Sequence, residues 1–286
     1  MSTDTVSADS AISVDPLLAM PRFRLSRGRL VQLALPLLVG ILFLVLWETL
    51  VRVEQIPVYV LPGPLRVAGR LVEDWGTLSA SLLVTIRVTV LALLAAVIGG
   101  GGLAILFAQS KWIEASFFPY AVILQVTPIV AIAPLILIYI RDTEIALLFC
   151  AWLVAFFPVL SNTTLGLNSV DHNFIDLMQM YRAKRWQVLW YLRLPGALPY
   201  FLGGLKIAGG LSLIGAVVAE FTAGTAAAGS GLAYRILESG YRLDIPRMYA
   251  GLALLSVTGV LIFTLLSFLS WLLLRKWHES AARRER

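Results

Sequence analysis

An all-α integral membrane fold is the class this sequence predicts. Three observations carry the prediction. Of 286 residues, 59% are hydrophobic and 14% charged; six apolar runs each approach or exceed the ~20 residues an α-helix needs to cross ~30 Å of hydrocarbon; and the runs are continuously apolar rather than alternating. Alternation would mark strands of a barrel, and lipid admits only helices and closed barrels because every backbone group must be satisfied internally. No stretch outside the runs has the patterning of an independent globular unit.

Taken in order, residues 1–20 are rich in Ser, Asp, Thr and Ala without helical periodicity, so 1–30 is expected as a cytoplasmic tail. Arg22, Arg24, Arg27 and Arg29 then precede the first span, Val31–Val51, which is too long for the core of a cleavable signal. The further spans are Leu82–Ala108, Pro119–Ile140, Ile145–Leu165, Phe201–Thr222 and Tyr249–Leu274. The transmembrane domain therefore covers 31–275, and 276–286 is a second solvated tail. Six spans place both termini on one side. Fifteen Lys and Arg residues fall on that side against seven on the other, with Arg87 near the second span, which puts the termini in the cytoplasm. The same bias accounts for the net charge of +6 without any nucleic acid.

The outer connections are longer than linkage requires. The one between the fifth and sixth spans begins flexibly, then carries Leu232, Ile236 and Leu237 at the spacing of a short amphipathic helix that caps an outer cavity or lies at the interface. Within the spans, Glu48, Arg87, Lys206 and Glu220 fall near the ends, where long side chains snorkel. Gln125, Thr127 and Glu220 are the candidates for lining a translocation pathway. The glycines 99–102 lie in a span without a following Lys and point to close helix packing rather than phosphate binding. Pro128, Pro134 and Pro158 are expected to kink their helices. The lone Cys150 sits in an apolar run, and His172 and His278 are far apart, so no metal ligand set or catalytic cluster is expected.

The inner connection between the fourth and fifth spans, 171–199, is the densest in chemistry. Phe174, Leu177, Met178 and Tyr181 follow i, i+3, i+4, i+7, with Asn173 as N-cap, and Trp186, Leu189 and Trp190 repeat the stripe before Pro195 stops the helix. Two short helices result. They either lie among lipid headgroups, which favour Trp, Tyr and Arg, or dock a soluble partner through bulky apolar residues rimmed by charge.

"RWQVLWYLRLPGALPYF" resembles the cytoplasmic loop of binding-protein-dependent ABC importer permeases, whose signature is E-A-A, three residues, Gly, nine residues, then I-x-L-P. Leu194 and Pro195 match its end, Leu192 its Ile, Arg182 stands on the Gly, and Asp176, Leu177 and Met178 stand on E-A-A. The resemblance runs on through "VLPGPLRVAGRL", "PIVAIAPLILIYI", "FFPVLSNTTLGL" and "VVAEFTAGTAAAGSGLAYRI", over most of 58–275, and is nearest to permeases for nitrate, sulfonates and taurine. It implies six helices of the importer permease type in a bacterial inner membrane, with the loop seated in a cytoplasmic ATPase. Phe174, Asp176, Leu177, Met178, Tyr181, Arg182, Arg185, Trp186, Leu189, Leu194 and Pro195 are then the coupling residues. It also implies two ATPase subunits using ATP and Mg, an extracytoplasmic solute-binding protein and a second permease copy. The chain itself has no G-x-x-x-x-G-K-[ST] and is expected to bind no cofactor.

Arg182 departs from that pattern, since a side chain in a left-handed turn carries a steric cost that Gly does not. The expectation is that the turn has another shape or that the two helices run on. The expected function is import of a small polar solute: an anion such as nitrate, a sulfonate or taurine, or a vitamin precursor such as a pyrimidine. An ion-coupled secondary transporter is the rival, disfavoured by the scarcity of charge at mid-span. A membrane enzyme has no side-chain cluster to stand on.

Overall fold

The computed structural model describes residues 27–224 and 230–275. The tail expected at 276–286, the N-terminal tail up to residue 26 and the start of the loop after the fifth span, 225–229, lie outside them. The described elements are helical throughout, in the order α1 (Arg27–Val53), α2 (Pro64–Glu73), α3 (Trp75–Gln109), α4 (Lys111–Val126), α5 (Ile129–Tyr139), α6 (Thr143–Asn168), α7 (His172–Met180), α8 (Arg185–Val188), a π turn (Leu189–Arg193), α9 (Leu194–Ala223), α10 (Leu232–Tyr241) and α11 (Ile245–Leu274).

The chain forms two compact units. In Met1–Leu50 the described part is most of α1, whose apolar side chains from Leu35 to Leu46 are exposed, as a span in lipid permits. In Val51–Arg286 the core is a three-helix arrangement in which α6 packs along both α9 and α3. Small residues set that spacing. A Cβ at Gly204 would meet Pro158 O at 2.7 Å, and one at Gly215 would meet Ala151 Cα at 2.8 Å, so α6 and α9 touch backbone to backbone. Of the four glycines expected to serve packing, Gly99 and Gly100 face Trp152 and Phe156 of α6, whereas Gly101 and Gly102 look into open space.

Among the described residues five helices are long and apolar enough to cross a bilayer, and α4 with α5 makes a sixth crossing only as a bent pair, at 100°. The single span expected over Pro119–Ile140 is thus corrected. Pro128 supplies no N–H and holds Thr127 extended (φ −73°, ψ 122°), so the ladder of α4 stops and α5 starts afresh. Pro119, Pro134 and Pro158 lie inside α4, α5 and α6. Arg87, expected to snorkel, pairs with Glu144 at 2.9 Å.

Candidate functional site

At one end of the bundle the chain passes from α6 to α9 through α7 and α8. The N-cap of α7 is Asp171, whose carboxylate accepts from the Asn173 amide at 3.0 Å. Asn173, expected in that role, is the second residue of the helix; the anion ahead of it answers the free amides and the positive end of the dipole. The turn after α7 is as tight as one built on Gly. Arg182 has φ 54°, its amide donates to Gln179 O at 2.8 Å, and Ala183 N donates to Met178 O at 2.9 Å. This is a Schellman cap with Arg at the left-handed position. The expectation that the turn changes shape or the helices run on is therefore wrong for this turn: the hydrogen bonds of the cap hold Arg182 there despite its Cβ.

Helices do run on farther along. Pro195 was expected to end a helix, yet Arg185–Ala223 is one apolar helical run of 39 residues. Pro195 falls in the first turn of α9, where its missing N–H is tolerated, and the π turn just before it lets Leu194 N reach Leu189 O instead of the usual fourth carbonyl back. The loop is accordingly one short helix, α7, followed by the overhanging foot of a span.

The predicted coupling residues divide into two sets. Phe174, Asp176, Leu177, Tyr181, Arg182, Arg185 and Trp186 are exposed, Tyr181 at 80% and Trp186 at 54%, while Met178 is half-buried. Leu189, by contrast, is 7% exposed and packs in a cluster with Phe107, Leu167 and Ala197, against which Leu194 also rests. Pro195 is half-buried. The first set is a free surface; Leu189, Leu194 and Pro195 seat that surface on the bundle. Arg193, not singled out from sequence, donates through Nη1 to Ala108 O at 2.8 Å, tying the seat to the end of α3. Its partner is 85 residues away, beyond any local pattern.

The pathway candidates do not form one group. Gln125 and Thr127 line a cavity of about 340 Å³ at the break between α4 and α5, with Val154, Pro158 and Leu211 on its far wall and no charged side chain in its lining. Glu220 lies at the opposite end of α9, 3% exposed. Its carboxylate accepts from Thr85 Oγ1 at 2.8 Å and from Ala233 N at 2.9 Å, and Thr85 Oγ1 in turn accepts from Leu232 N at 2.8 Å. A Cβ on Gly231 would collide with that carboxylate. Glu220 therefore fastens the start of α10 to α9 and α3.

The amphipathic helix read from Leu232 is α10, with Leu232 and Ile236 buried against the bundle and not spread at an interface. Ion pairs bind its surroundings together. Arg70 Nη2 meets Asp244 at 2.6 Å, Arg247 Nε meets Asp74 at 2.9 Å, and Glu238 takes both Arg235 and Arg242, at 2.9 and 2.8 Å. The hydrogen bond from Arg235 holds the Glu238 carboxyl below its usual range, and the bond to Asp244 fixes Arg70 further in its charged form. Helix α2, which contributes Arg70, was missed in the sequence although Pro64 at its first position and Val67 with Leu71 one turn apart are its signals. Among the described residues no group of three His, Cys, Asp or Glu is placed to hold a metal.

The model of one family, described as binding-protein-dependent transport system inner membrane component, matches residues 96–283. A riboflavin transport system permease protein of Chloroflexus aurantiacus is 34% identical over 91% of this chain and 96% of its own length. A formylaminopyrimidine transport permease protein of Halalkalibacterium halodurans is 30% identical over 84% and 94%. A taurine transport system permease protein of Escherichia coli is 30% identical over 77% and 81%. A crystal structure of an amino acid ABC transporter shares the fold, with a TM-score of 0.58 at 18% identity over 70% of this chain and 95% of that one.

Proposed function

The chain belongs to the family of binding-protein-dependent transport system inner membrane components, and within that membership as a multi-pass permease subunit of an ABC importer we propose that its α7–α8 loop is the seat for a separate ATPase. The observation that carries this reading is the set of exposed side chains Phe174, Leu177 and Tyr181 on and at the end of α7, with Trp186 on the foot that continues into α9. Bulky apolar side chains left in water at one end of a membrane bundle are what a partner's groove would bury. ATP and Mg are used by that partner. Both termini and the loop face the cytoplasm, a second permease copy completes the pathway, and a solute-binding protein delivers cargo to the end that holds α10.

The solute passes the cavity at Gln125 and Thr127, where the break at Pro128 leaves backbone unwound beside a hydroxyl and an amide. With no cation in that lining, an uncharged heterocycle of the vitamin-precursor kind fits it better than nitrate or a sulfonate. The test is to purify the tagged chain from its native membrane, identify what co-purifies, and reconstitute the complex. An ATPase is expected with wild type and is expected to be lost with Trp186→Asp. Retention of full ATPase by that variant would remove the loop from the contact. In the same vesicles ATP-driven uptake of a pyrimidine or riboflavin should exceed that of taurine or nitrate, and the reverse order would overturn the solute assignment.

A further inference from the structure

A second cavity, of about 460 Å³, lies beside the proposed seat and shares Arg185, Leu189 and Arg193 with it. Its walls come from the ends of α3 and α6, the start of α4, Ile175 and Gln179 of α7, α8 and the π turn. Its volume falls in the ~300–1,000 Å³ range of small-ligand sites. Phe107 and Leu189 form an apolar floor, and three cations, Lys111, Arg185 and Arg193, share the walls with a single carboxylate, Glu114. Arg193 is held in place by Ala108 O, whereas Lys111 and Arg185 make no ion pair among the described residues. Two more positive than negative side chains around one concavity give it a field that attracts an anion.

We propose that this cavity binds a phosphate-bearing anion, the headgroup of an anionic phospholipid, and that its occupancy sets how firmly the α7–α8 loop is held against the bundle. Depth favours the lipid. Trp112, next to Lys111, is 86% exposed and stands at the foot of α4, where an indole marks the headgroup layer. Basic pockets between helices on the cytoplasmic side are the sites where anionic headgroups collect. The headgroup would touch α3 and α4 on one side and the foot of α9 on the other, bridging the static bundle to the element proposed to meet the ATPase. The cytoplasmic placement rests on the permease reading; the binding itself does not.

The experiment has two readouts. Lipid retained by the purified permease, measured by native mass spectrometry, tests the site without an ATPase. ATP turnover of the whole complex in nanodiscs of phosphatidylcholine, with and without phosphatidylglycerol, tests its effect. Wild type should retain phosphatidylglycerol and turn over faster in its presence. Lys111→Gln should lower retention about fivefold, the share of one lysine near an anionic surface, and should blunt the stimulation. Arg66→Gln, a cation exposed at the other end of the bundle, should change neither. Inorganic phosphate added to phosphatidylcholine discs separates the sources: stimulation by phosphate alone, lost in Lys111→Gln, assigns the cavity to a soluble anion of the same chemistry. Equal retention and equal turnover in wild type and Lys111→Gln overturn the proposal. Failure to find an ATPase while lipid retention still depends on Lys111 overturns the permease reading and leaves the site standing.

Discussion

Arg182 occupies a backbone conformation that glycine enters without steric cost. The left-handed region costs an L-residue about 1–2 kcal/mol, and glycine's extra freedom in the unfolded chain returns about 0.5–1 of that. Arg182→Gly is therefore expected to stabilise the protein by about 0.5–1 kcal/mol, seen as a higher melting temperature in detergent, with ATPase coupling kept. A lower melting temperature would mean that the guanidinium makes a contribution larger than the strain. At this scale the sequence was legible where the pattern is local. The spacing of Phe174, Leu177, Met178 and Tyr181 announces the short helix α7, and that of Leu232, Ile236 and Leu237 announces α10; which of the two faces is covered was not in the spacing. It was not legible where neighbouring residues compete for one role, as Asp171 and Asn173 do for the cap, or where the fold recruits a polar atom. Glu220 reads as a pathway carboxylate by depth alone; only the arrival of Thr85 and the Ala233 amide makes it a fastening.

Among the elements, α10 depends on that fastening more than on its own length. Ten residues are too few for an isolated helix to persist, since nucleation is costly and propagation adds little per residue. Removing the acceptor leaves the Ala233 amide buried and unpaired, at about 1–3 kcal/mol, and the Thr85 hydroxyl with only its long bond to Ser81 O, 3.3 Å. Glu220→Ala should accordingly raise amide hydrogen exchange across Leu232–Tyr241 well above wild type while α6 stays protected. Unchanged exchange there would show that apolar packing alone holds the helix. Helix α4 with α5 teaches the complementary lesson. The hydropathy of Pro119–Ile140 is that of one span, and Pro128 alone does not say whether a helix bends or stops. Stopping is decided by Thr127, which has gone extended. Pro195 read as a stop and is none, because the π turn before it absorbs the missing donor.

On the scale of the whole molecule, hydrophobic runs and charge bias were enough to predict six crossings, and five of them are continuous helices. Which helices touch was not readable, because contact between α6 and α9 is set by Gly204 and Gly215 of α9 meeting Pro158 and Ala151 of α6 rather than by any run in the sequence. The two ends of the bundle are also unlike in a way composition hides. One is bound together by Arg70, Asp74, Glu238, Asp244 and Arg247; the other leaves aromatic side chains and two cations without ionic partners among the described residues. A single rod joins them. Arg185–Ala223, a rise of ~58 Å at ~1.5 Å per residue, carries Trp186 of the proposed ATPase seat at its foot and the carboxylate that grips α10 near its head. In the proposed complex a tilt imposed below is expected to reach the cap above through one covalent strut, with the π turn at Leu189–Arg193 and the missing donor of Pro199 as the joints in its hydrogen-bond ladder. Loosening that single grip, as in Glu220→Ala, should therefore uncouple the two ends without disturbing the lower one.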